Sequence, residues 1–71
     1  METLSAFVRR KRKEAGLTQV ALADTAGVGL RFLRELERDK TRLRMDKVNQ
    51  VLGLFGHQLG PVPARREESG S

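Results

Sequence analysis

The stretch GLTQVALADTAGVGLRFLRELERDK, residues 16–40, decides how this 71-residue chain folds. Thr18 supplies a hydroxyl that can accept a backbone N–H at the start of a helix, so Gln19–Ala26 reads as helical, with Leu22, Ala23 and Ala26 on its apolar side. Gly27 breaks it. A further helix is expected over about Leu30–Arg38, because Phe32, Leu33 and Leu36 fall on one arc at 100° per residue, with Val28 just before them. Arg31, Arg34 and Arg38 gather on the opposite arc. A glycine free to adopt positive φ in the turn and a small Ala23 at the contact suit two helices meeting within three residues.

Working outward, Leu4, Phe7, Val8, Lys11 and Ala15 define an amphipathic helix over residues 4–15, which Gly16 ends. Lys11 stands within its apolar stripe, where its methylenes can cover the core edge while the ammonium reaches water. The run Arg9-Arg10-Lys11-Arg12-Lys13 wraps around that helix, since consecutive residues point 100° apart. It reads mainly as a solvated face, with phosphate contact by Arg9 or Arg10 as the lesser alternative. Downstream, residues 39–44 form a basic connection. Met45, Val48, Val51, Leu52 and Phe55 then mark a helix that Gly56 terminates, with Asp46 favourably placed in its first turn. His57–Val62 is too short for a helix and β-compatible apart from Pro61, so a short strand is expected there. Residues 1–63 thus form one domain, followed by a flexible charged tail over 64–71.

Composition narrows the function. Fourteen Lys/Arg against nine Asp/Glu give a formal charge of +5, which attracts polyanions. With no cysteine and a single histidine, His57, a disulfide framework and a metal cluster are both excluded, and no metal or small-molecule cofactor is expected. No run approaches the roughly 18 apolar residues of a membrane span, so a cytoplasmic location is expected. Enzyme readings fare poorly. Ser5 has no accompanying histidine pattern, no glycine-rich loop ends in Gly-Lys-Ser/Thr, and the carboxylates lie beside arginines that keep them weakly basic. Hydrophobic residues make up 38% of the chain, enough for only a thin monomer core, so burial of more apolar surface against a partner is expected.

Residues 16–40 resemble the helix-turn-helix of Cro/C1-type (XRE) repressors, whose pattern runs Leu-Thr-Gln, Leu-Ala, Gly-Val and Leu-Glu. Residues 43–60, LRMDKVNQVLGLFGHQLG, resemble the HipB-like antitoxin branch of that family. The resemblance implies an all-α, lambda-repressor-like domain of four to five helices, with a short C-terminal strand that pairs across a homodimer. Its third helix would enter the major groove of palindromic operator DNA while the second lies across the backbone. By matching position, Leu30, Arg31, Arg34 and Glu35 would face base edges, and Gln19, Arg38, Lys40, Arg42 and Arg44 would hold phosphates. Arg31 leads the base readers, because a guanidinium donates two parallel hydrogen bonds to guanine near the helix N-terminus. Arg34 has a solvated or phosphate-facing alternative.

Arg12 and Glu37 match positions that pair between the first and third helices, in a structural rather than catalytic role. Gly29 stands where serine is common, so no side chain caps the third helix, and Asp39 stands where glycine is common. Leu54, surplus to the fourth helix's core face, joins His57, Gln58, Leu59 and Val62 as the expected dimer interface. The implied function is a repressor that autoregulates a type II toxin–antitoxin operon and neutralises a HipA-like kinase toxin. Two alternatives stand beside it: a stand-alone phage-type or metabolic repressor, and a toxin-binding module with minor DNA binding.

Overall fold

The computed structural model describes residues 2–64, in which four helices follow in order: α1, Leu4–Glu14; α2, Gln19–Ala26; α3, Leu30–Leu36; and α4, Met45–Gly53. Two of them start on a threonine. Thr3 Oγ1 accepts from Ala6 N at 3.1 Å and Thr18 Oγ1 from Ala21 N at 3.0 Å, each satisfying an N–H that a helix start leaves without an intrahelical partner. The starts of α3 and α4, at Gly29 and Arg44, have no side-chain cap.

All four helices end alike. An N–H just past each end reaches back five residues: Leu17 to Arg12 O, Val28 to Ala23 O, Lys40 to Glu35 O and His57 to Leu52 O, at 3.0 to 3.2 Å. This closure needs a left-handed residue immediately before the returning N–H. At the α2–α3 turn Gly27 supplies it with φ 75°, and backbone conformation rather than space selects glycine there, because an added Cβ would meet only Gln50 Nε2 at 3.5 Å. After α3 the same role falls to Asp39 at φ 63°, as its place in the sequence suggested.

The apolar arcs converge on one core. Val8 of α1, Leu22 and Ala23 of α2, Leu33 and Leu36 of α3, and Val48, Val51 and Leu52 of α4 are all buried. Around them pack partly buried side chains, among them Phe7, Val28, Leu30, Phe32, Phe55 and Leu59. α2 rests against both α3 and α4, and α1 against α3. Gln50 ties α4 to the turn itself by donating from Nε2 to Ala26 O at 3.3 Å.

Three expectations are corrected. α3 ends at Leu36 rather than Arg38, because Arg38 N turns back to Glu35 O and Asp39 then reverses the chain. α4 ends at Gly53 instead of running through Phe55; its last turn tightens through bonds from Leu54 N to Val51 O and Phe55 N to Leu52 O. The strand expected over His57–Val62 is absent among the described residues, leaving the fold all-α. A strand needs a neighbouring backbone, whereas the Leu59 N–H donates to the Asn49 side chain at 2.7 Å and the Leu59 side chain packs on the core. The tail expected over 64–71 lies outside the described residues from position 65 onward.

Candidate nucleic-acid interface

The same periodicity that turns Leu33 and Leu36 inward turns Arg31 and Arg34 outward. Arg31, Arg34, Glu35, Arg38 and Lys40 line one open groove of about 570 Å³. Arg31 is almost wholly solvated, its side chain 93% exposed. Among the described residues Arg34, Arg38 and Arg42 form no ion pair, so their guanidinium groups are uncommitted. Four cations around one short helix, beside a single carboxylate, create the positive potential that a phosphodiester backbone requires.

Other candidates sit elsewhere. Leu30 is partly buried against the core, which leaves only part of its side chain to meet a base. Arg44 is held by Asp46, with Nη2 to Oδ2 at 2.7 Å and Nε to Oδ1 at 3.2 Å; that hydrogen bond keeps the Asp46 carboxyl below its ordinary range. Gln19, at the first position of α2, donates from Nε2 to Glu37 Oε1 at 3.1 Å. Its amide therefore supports the protein interior in this state.

Behind the interface, Glu37 anchors α3. Arg12 donates from Nε to Glu37 Oε2 at 2.8 Å and from Nη2 to Oε1 at 3.0 Å, so the two side chains meet in a fork that joins α1 to the end of α3. Arg12 Nη1 also donates to Leu17 O at 3.0 Å, and Arg9 Nη1 donates to the carbonyl of Glu37. Arg10 grips Glu2 and Glu14, and Lys11 Nζ stands 5.9 Å from the Phe7 ring centre. Most of the basic run at 9–13 is thus engaged within the fold: it wraps around α1 as expected, but it is not mainly the solvated face that was expected.

Sequence reasoning weighed Ser5 only as a nucleophile and missed its structural role. It is buried, and its hydroxyl donates to Asp39 Oδ1 at 2.5 Å, pinning the left-handed residue just before Lys40. A serine on the inner arc of α1 was the available signal; its partner 34 residues away was not. Of the expected dimer residues, Leu54 and Val62 are 43% and 68% exposed. His57 lays its ring against Phe7, centroids 4.8 Å apart, Gln58 is exposed, and Leu59 faces the core. Met45 is another exposed apolar residue.

Two helices at a glycine turn, braced by flanking helices and showing a cationic outer face, define a helix-turn-helix domain. Residues 8–57 match the helix-turn-helix family, and the chain belongs to it, in the XRE type. It is 49% identical over 53 residues to an uncharacterized HTH-type transcriptional regulator, y4mF, of Sinorhizobium fredii (strain NBRC 101917 / NGR234), covering 75% of this chain and 70% of that one. It is 32% identical over 60 residues to the immunity repressor protein of Bacillus phage phi105, covering 84% of this chain but 42% of the repressor. No helix among the described residues is long and apolar enough to cross a membrane.

Proposed function

We propose that this chain is a sequence-specific DNA-binding transcriptional repressor that acts as a homodimer, with α3 entering the major groove. The observation that carries the reading is the groove of Arg31, Arg34, Arg38 and Lys40 on the outer side of a helix whose inner side is sealed into the core. Arg31 reads a guanine; Glu35 and Arg34 face neighbouring base edges, with the solvated part of Leu30 against a thymine methyl. Arg38, Lys40 and Arg42 hold phosphates, and Gln19 and Arg44 join them once their present partners are exchanged for DNA. Two copies present two such helices to half-sites about one helical turn apart, which matches a palindrome.

The test is selection of duplexes from a random pool, followed by binding measurements against a scrambled control. Affinity for the selected site falls by roughly 10³–10⁵ between 50 and 200 mM salt if 6–10 phosphates are engaged. Arg31→Ala costs about 1–3 kcal/mol on the selected site and relaxes one base position, while Lys40→Ala weakens both duplexes alike. Equal losses on both duplexes for Arg31→Ala rule out its reading role, and no sequence preference at low salt rules out the function.

A finer reading is an antitoxin of the HipB-like branch, bound by a HipA-like kinase toxin and repressing its own operon. Its support is the resemblance of residues 43–60, together with the uncovered apolar Met45, Leu54 and Val62. The similarity to a phage immunity repressor favours a stand-alone repressor instead. Co-expression with the product of the adjacent reading frame separates the two: a stable complex that silences a growth-arresting kinase supports the antitoxin, and a neighbour with neither property supports the stand-alone repressor.

A further inference from the structure

Glu35 is the one carboxylate among the residues lining the cationic groove, and a single oxygen of it serves two cations. Its Oε2 lies 3.6 Å from Arg31 Nε, one turn back on α3, and 3.7 Å from Lys40 Nζ, beyond the end of the helix. Backbone structure brings Lys40 there. The Lys40 N–H donates to Glu35 O at 3.2 Å, and Asp39, left-handed at φ 63°, is held from below by the Ser5 hydroxyl. Both cations are ones that the DNA-binding reading assigns to nucleic acid.

We propose that Glu35 is a specificity-determining residue that stands in for a DNA phosphate: it occupies Arg31 and Lys40 in the free protein and yields them only to a duplex whose base edge hydrogen-bonds its carboxylate. The proposal rests on the function proposed above and deepens it. A duplex of arbitrary sequence must separate both ion pairs and then leaves the carboxylate at a base edge that offers it no donor, which offsets much of what the two cations gain. A cytosine removes that penalty. Its N4 amino group donates to a carboxylate in the major groove, so both cations are freed while Glu35 stays paired. The carboxylate thus lowers affinity for most DNA and spares the site that carries cytosine at one position.

The experiment compares the full chain with Glu35→Gln and with Glu14→Gln, which adds the same charge on α1, where Glu14 faces Arg10 and Lys11. The probes are a labelled duplex of random sequence and the duplexes that each protein selects from a random pool. Glu35→Gln binds the random duplex about three- to tenfold more tightly near 100 mM salt, whereas Glu14→Gln shifts it less than about twofold. In selection, Glu35→Gln exchanges a cytosine preference at one position for adenine, because an amide pairs with the adenine edge. Equal tightening by the two variants, or a cytosine preference that survives Glu35→Gln, overturns the inference while leaving the DNA-binding reading in place. A wild-type chain that binds no duplex at low salt overturns both.

Discussion

Glu37 is 3% exposed, and its carboxylate accepts from Arg12 Nε, Arg12 Nη2 and Gln19 Nε2. A buried pair of this kind adds little net stability beside an apolar replacement, but removing one partner strands the other. Glu37→Ala therefore costs about 3–5 kcal/mol, read from urea unfolding. That is a large part of the roughly 4–10 kcal/mol expected of a domain this size. A loss below about 1 kcal/mol would show that Arg12 finds water instead. Ser5, itself buried, makes a second contact between α1 and the turn after α3 by donating to the exposed Asp39. Ser5→Ala costs about 0.5–1.5 kcal/mol, the net worth of the lost hydrogen bond, because water reaches the exposed Asp39 carboxylate. The pair Ser5→Ala with Asp39→Gly is no less stable than Ser5→Ala alone, because glycine relieves the left-handed strain at position 39. A double variant markedly below the single one contradicts this account.

At the scale of elements, α2 runs over the residues that the sequence indicates, Gln19–Ala26, because a capping threonine and a left-handed glycine bound it locally. α3 is less well bounded. Gly29 precedes it with φ −71° and ψ 151°, already the backbone of a capping residue, yet offers no side-chain oxygen, and open space surrounds the position where a Cβ would stand. Gly29→Ser accordingly stabilises the fold by a few tenths of a kcal/mol, raising the melting midpoint by about 2 °C. An unchanged or lower midpoint shows that the new hydroxyl fails to reach the first N–H groups of α3. The expected strand carried one local liability, Pro61, and a second that only the fold reveals. Its residues were β-compatible apart from Pro61, but Asn49, eight residues before His57, takes the Leu59 N–H that pairing would use.

For the molecule as a whole, a thin core and four exposed apolar side chains, Val20 on α2 at 60% and Met45, Leu54 and Val62 at 71%, 43% and 68%, fit a chain that gains further burial against a second copy. Leu54→Glu places a charge on that surface. It weakens self-association at least about tenfold in sedimentation equilibrium, equivalent to about 1.4 kcal/mol. Affinity for a two-half-site duplex falls with it, while a single half-site is bound as before. Unaltered self-association removes Leu54 from the dimer surface.

Residues 16–40 by themselves determined that two short helices meet at Gly27 with leucines on one arc and arginines on the other, because helix periodicity and turn chemistry act over a few neighbouring positions. Only the tertiary structure decided which charges remain free. Arg9 and Arg12 are drawn to Glu37, Gln19 joins them, and Lys40 is brought to Glu35, which already faces Arg31 one turn back on the same helix. Partner choice between charged side chains of different elements is settled by the distances between those elements and by burial, and neither quantity is present in local sequence.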